Sequence, residues 1–199
     1  MAAGGSTGGR PRDPEVDRRV AAAAIALYGE VGWAGFSVEA VSRRAGVGKA
    51  SIYLRWPSKE RLLLDAVRAR FDWIRDVDTG TVRGDLLQLA RQMLDLYIGA
   101  SGRAALRISI EASGVPVLTV PYDELIQSQV RAAREIVRRA IARGDLPANT
   151  AVTMLLDTLL GAVIAHAIAT PQHLRPAVLA QADAYAEQLV DFLLAAVSN

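Results

Sequence analysis

The sequence contains no cysteine, only two histidines, and only two lysines among its 23 basic residues. The first absence excludes disulfides, thiolate metal sites and cysteine nucleophiles. With His166 and His173 as the whole histidine complement, neither a multi-histidine metal centre nor a histidine-dependent triad is expected. No alternation of Val, Ile and Thr is long enough for a strand, and no phosphate-binding loop is present. Met1 to Asp13 is glycine-rich and lacks the apolar stretch of about 7–15 residues that a signal peptide needs. A cytoplasmic, non-catalytic protein without metal or cofactor is therefore the starting expectation.

What is present points to a helical chain. Hydrophobic residues make up 51% of the 199, enough to bury a full core. The net charge of +2 is unevenly spread: residues 1–75 carry +5 and residues 76–199 carry −3. A basic front on a mildly acidic body implies that only the front meets a polyanion. Ala151 to Ala169 is apolar and close to membrane-spanning length. Asp157 near its middle costs about 2.5–3.5 kcal/mol in a bilayer, and His166 adds to the difficulty. The segment reads as a helix buried on several sides in a soluble assembly, and no membrane partner is expected.

Helical spacing and capping residues predict an all-α chain of about nine helices. A flexible tail covers 1–13, a three-helix head 14–57, a connecting helix 58–77, and a helical body 78–199. Within the head, the helices run from Pro14 to about Val31, over SVEAVSRRA behind the cap Ser37, and over GKASIYLR before Trp56-Pro57. GWAGF is expected to form the first turn. The connecting helix should bury Leu62, Leu63, Ala66, Val67, Phe71 and Ile74. The body helices are placed near 84–100, 103–113, 121–143, 148–169 and 176–197, with the domain junction in residues 76–85.

Two short helices joined at Gly46, with Lys49 opening the second, make a helix-turn-helix. Val38, Val41, Ala45, Val47 and Ile52 pack beneath it. Lys49, Ala50, Ser51, Tyr53, Leu54 and Arg55 are left around the remaining surface. Small Gly48 and Ala50 let the backbone approach a groove, while the charges and hydroxyls suit phosphate and base edges. Read as a solvated helix face alone, the basic stretch would carry no function, and Tyr53 would be a core residue. Arg131, Arg134, Arg138, Arg139 and Arg143 read as solvent-facing rather than as a second DNA site. Arg10 and Arg12 fit either a minor-groove arm or a solubilising tail.

FSVEAVSRRAGVGKASIYLRWPSKERLL, within Val20 to Leu64, resembles the DNA-binding segment of the TetR family of bacterial transcriptional regulators. The resemblance implies phosphate contacts from Ser37, Lys49, Tyr53 and Lys59. It places Ala50, Ser51, Leu54 and Arg55 at base edges or adjacent phosphates. Gly48 stands where the family often has Ser, and Leu54 and Arg55 replace the usual polar or aromatic residues. Leu54 suits a thymine methyl. A weaker resemblance, over DVDTGTVRGDLLQLARQML, is to the regulatory domain of one subgroup.

The family pattern implies a homodimer joined through the last two helices, reading a palindromic operator in double-stranded DNA. Leu160, Ile164, Ile168, Ala182, Leu189 and Leu193 are the expected dimer residues, on helices too apolar for a lone subunit to cover. A largely apolar effector is expected among Met93, Tyr97, Arg107, Glu111, Tyr122, Ile126, Gln129 and Asp157, although each also fits an ordinary core position. The reading is a repressor released by that effector. The alternatives are an effector-independent activator or architectural factor, and a small all-helical enzyme, which lacks a nucleophile–base pair.

Overall fold

The computed structural model describes residues 13–71 and 77–197. Most of the tail expected over 1–13, with Arg10 and Arg12, lies outside them, as does Ile74. Among the described residues there are ten α-helices, two 3₁₀ turns and no strand.

The head is α1 (Pro14–Gly35), α2 (Val38–Ala45), α3 (Lys49–Tyr53) and α4 (Lys59–Arg70). Asp13 caps α1 by accepting from the Glu15 amide at 2.9 Å, with Pro14 in the first turn, where its missing N–H costs nothing. Val20, Ala24 and Tyr28 are fully buried along it. The helix continues past Val31 to Gly35, so the expected GWAGF turn is a kink inside α1. Its pivot is Gly32, at φ 68° and ψ −173°, a conformation that only glycine adopts without strain. A Cβ there would lie 2.3 Å from Arg107 Nη1 and 2.6 Å from Glu111 Oε1. Gly32→Ala is therefore expected to cost about 1–3 kcal/mol in denaturant unfolding. Unchanged stability would contradict the kink.

The body is α5 (Val82–Ile98), α6 (Gly102–Glu111), α7 (Pro116–Arg143), α8 (Val152–Ala169), α9 (Arg175–Ala180) and α10 (Ala182–Val197). Helix α5 runs through its centre, touching α6 to α10 and burying Leu86, Leu89, Ala90, Leu94 and Ile98. Further boundaries differ from the sequence reading. Helix α4 stops at Arg70, because Phe71 turns extended (φ −83°, ψ 116°) with its side chain buried. Helix α7 begins at Pro116 and absorbs Pro121, losing one backbone bond near its start rather than ending there. The last helix is two, since the Gln181 amide bonds Val178 O with ψ at 11°. No glycine or proline marks that break.

The junction after the connecting segment is held by charge. Asp85, fully buried, accepts from the Thr79 amide at 2.6 Å, Thr79 Oγ1 at 2.8 Å and Arg143 Nη2 at 2.8 Å. Arg143 also meets Asp78 and Asp145, and Arg139 donates to the Val77 carbonyl. These two arginines, expected to face solvent, instead bind the junction to the end of α7. Arg134 is engaged too, donating to Thr153 Oγ1 at 3.0 Å.

Candidate nucleic-acid interface

The helix-turn-helix is built by three local devices. Ser37 Oγ caps α2 by accepting from the Ala40 amide at 3.2 Å, which leaves its hydroxyl proton free to donate outward. Gly46 ends α2 in the left-handed region at φ 63°. Ser42 Oγ then donates to the Val47 carbonyl at 2.6 Å, fixing the turn into α3. Ile52 is fully buried under α3 and Trp56 nearly so, and these two anchor the short helix.

On the outer side of α3, Lys49, Ala50, Ser51, Tyr53 and Leu54 are exposed, Leu54 at 86% and Tyr53 at 41%. An apolar side chain that exposed, flanked by a cation and hydroxyls, has no use in the isolated fold. Tyr53 is thus not a core residue. Lys49 Nζ lies 5.6 Å from the Tyr53 ring centre and pairs with Glu39 on α2. That hydrogen bond raises the Lys49 pKa, with further help from the charge of Glu39, and keeps the ammonium charged. Lys59 sits at the start of α4, its Nζ 4.1 Å from the Trp33 ring centre, behind the cap in which Ser58 accepts from the Arg61 amide.

Arg55 departs from its expected place. Its guanidinium turns back to pair with Asp17 on α1, and its side chain is only 19% exposed. The opposite charge of Asp17 draws it there, so it braces α3 against α1 instead of standing beside Leu54. Sequence reasoning did not single out Glu39, the acid beside Lys49. The signal was present, since Glu39 lies in the first turn of α2, two residues after the cap Ser37. Removing its charge by Glu39→Gln is expected to strengthen duplex binding several-fold at low salt, measurable by fluorescence anisotropy. Weaker binding would mean that Glu39 positions Lys49 rather than competing for it.

The body residues expected to meet a ligand do not all come together. Met93 and Tyr97 of α5, Ile126 and Gln129 of α7, and Asp157 of α8 line one cavity of about 150 Å³, together with Leu160. Leu160 was expected at the dimer face. Tyr122 is half-buried outside that lining, and burial first, then the neighbouring Tyr97, pushes its pKa up to about 12. Arg107 and Glu111 lie elsewhere, at the joint between head and body. Glu111 Oε2 accepts from Tyr28 OH and from the Trp33 amide, each at 3.0 Å, and Arg107 Nη1 lies 3.3 Å from Glu111 Oε1. Their place follows from the kink: Gly32 has no side chain, so α6 comes close enough for Glu111 to accept from the Trp33 amide just past the bend.

The dimer residues also divide. Leu193 is buried inside the subunit, Ile164, Ala182 and Leu189 are half-buried, and Ile168 is 68% exposed. The outward apolar face of α8 and α10 is carried by Met154 (68%), Ile168 and Phe192 (69%). His166 stacks on Tyr185 at 4.2 Å within the chain. Asp157 is exposed on the cavity rim.

A helix-turn-helix head with an outward reading helix, set on a separate helical body, defines a DNA-binding regulator. Residues 20–66 match the family model described as bacterial regulatory proteins, tetR family. Residues 76–193 match the tetracyclin repressor-like C-terminal domain. The chain belongs to the TetR family of transcriptional regulators, whose members bind DNA and form dimers. It is 32% identical over 146 residues to the HTH-type transcriptional regulator AqdR of Rhodococcus erythropolis, covering 73% of this chain and 70% of that one. An uncharacterized HTH-type regulator of Mycobacterium tuberculosis is 29% identical over 168 residues, 80% and 81% of the two chains. Among solved structures, the TetR family regulator SCO0332 is 32% identical with a TM-score of 0.54, covering 90% and 97%. FadR of Bacillus subtilis, in complex with stearoyl-CoA, shares the fold at a TM-score of 0.66 and 16% identity, covering 88% and 96%.

Proposed function

We propose that this regulator is a repressor, acting in the cytoplasm as a homodimer on a palindromic operator and released by a small, largely apolar effector. It is a binding protein rather than an enzyme, and needs no metal or cofactor. The observation that carries the reading is the outward face of α3, where Lys49, Ala50, Ser51, Tyr53 and Leu54 stand over buried Ile52. Each subunit of the dimer places that face in a major groove. Ser37, Lys49, Tyr53 and Lys59 hold phosphates, while Ala50, Ser51 and Leu54 meet base edges.

Release requires that the effector bind better to the state that does not fit DNA. A reciprocal coupling of about 1–3 kcal/mol changes affinity about 5–150-fold. The joint at Glu111 supports such coupling, because Tyr28 and Trp33 of the head hang on the last residue of α6. A shift of α6 therefore moves α1, and α1 carries α3 through the Arg55–Asp17 pair.

Selection of bound sequences from random duplex DNA tests the reading. One palindromic motif is expected, enriched in a salt-resistant way; enrichment without any motif would reduce the protein to a nonspecific binder. Lys49→Ala should weaken binding to all duplexes and lower the salt slope by roughly one unit. Leu54→Ala should change which base is preferred and leave that slope alone. An unchanged slope in Lys49→Ala removes Lys49 from the phosphate contacts.

A further inference from the structure

We propose that the cavity between α5, α7 and α8 takes a small uncharged molecule, with a body about one aromatic ring in size and one hydrogen-bond donor that meets Gln129 Oε1. This rests on the effector-responsive reading above and narrows the chemistry of the same site.

The argument begins with an unmet acceptor. Gln129 lines the cavity, and its Oε1 is buried without a hydrogen-bond partner. Which end of this amide is free follows from its neighbour. Ser128 Oγ donates its only proton to the Leu125 carbonyl at 2.8 Å, so towards Gln129 it accepts. The amide nitrogen therefore faces Ser128, at 3.4 Å, and the oxygen is left over. Buried acceptors in folded proteins are nearly always satisfied, so an unmet one beside a cavity marks where a donor belongs. A lone water is a poor occupant, since Leu89, Met93, Ile126 and Leu156 give it hydrocarbon walls where it needs two to four polar partners.

Size and charge narrow the class. A cavity of about 150 Å³ with apolar walls accommodates a benzene-sized body. Burial raises the Tyr97 pKa, so that phenol remains neutral and offers an ionic ligand no counter-charge. Arg134 and Asp157 stand at the rim with opposite signs, and Arg134 is already bonded to Thr153 Oγ1. A charged ligand would lose its water without an equal return, whereas a neutral donor such as a phenolic hydroxyl or aryl N–H loses little. Larger molecules of the same class extend past Asp157 into solvent.

Phenol and toluene, equal in size and differing in one donor, are the probes. Their affinities for the full-length dimer are measured by calorimetry in the wild type and in Gln129→Leu, and operator release is followed by fluorescence anisotropy. Comparing the phenol-to-toluene affinity ratio between the two proteins cancels the difference in ligand hydration. That ratio is expected to fall at least about tenfold in Gln129→Leu, and phenol is expected to release the wild-type operator complex. Gln129→Met, similar in length, replaces Gln129→Leu if the latter does not fold. An equal ratio in both proteins, or no binding of either probe at millimolar concentration, overturns the inference. Failure of the wild type to bind any selected duplex before a probe is added overturns the regulator reading instead.

Discussion

Asp85→Ala is expected to lower the unfolding free energy by about 3–5 kcal/mol, the usual cost of deleting one partner of a buried ion pair. The deletion strands several groups at once. Thr79 loses the acceptor for its amide and the nearer of two acceptors for its hydroxyl, and Arg143 loses the one fully buried carboxylate it meets. Burial by itself would raise the Asp85 pKa. The hydrogen bonds from Thr79 and Arg143, with the charge of Arg143, outweigh it and hold the pKa below the ordinary value. The sign of the pH dependence follows. A depressed folded-state pKa gives stability that is complete above the unfolded value of about 3.9 and is lost as pH falls through the folded one. The gap between wild type and Asp85→Ala should thus be constant near neutrality and shrink below about pH 4. Urea unfolding at pH 7 and at pH 3 checks this, and a gap that widens in acid would contradict it. Asp85→Asn should lose less, because the amide oxygen still accepts from Thr79.

Phe192→Asp is expected to convert the dimer to a monomer and to reduce operator affinity by about 100-fold or more, as two linked half-site contacts become independent. Phe192 is 69% exposed in the single chain, so the substitution removes little from the subunit's own core. It lies on α10 beside the outward face of α8, where Met154 and Ile168 are each 68% exposed. Only 22% of the residues of α8 are fully buried within the chain, although the helix is long and apolar enough to cross a membrane. A second copy presenting the same face would cover these residues by two-fold symmetry, the usual closure for a self-complementary patch. Sedimentation gives the mass, and circular dichroism confirms that the subunit remains helical. A Phe192→Asp protein that stays dimeric would move the interface off this face.

Both effects concern residues whose importance is unevenly visible in the sequence. Phe192 stands in a stripe of apolar spacing, so periodicity found the helix. Periodicity did not separate Leu193, which packs inside the subunit, from Phe192, which points out. A helix that is apolar over a wide arc leaves its inner and outer faces to be assigned by its neighbours. Asp85 was less visible still, because one acid at a helix start reads first as an N-terminal charge favoured by the dipole. Its burial depends on Arg143, 58 residues later.

The sequence by itself determined the helical class, the short helices of the head and the exposed face of α3. Each of these is set within a few residues, by the caps Ser37 and Ser58, the left-handed Gly46, and the packing of Val38, Val41 and Ile52. Tertiary structure alone decided the rest. It turned Arg55 onto Asp17, drew Arg107 and Glu111 out of the expected ligand site to the kink at Gly32, and gathered Met93, Tyr97, Ile126, Gln129 and Asp157 around one cavity. The physical reason is common to all three. A charged or apolar side chain of given type satisfies several partners equally well, and only the approach of distant helices selects which one it meets.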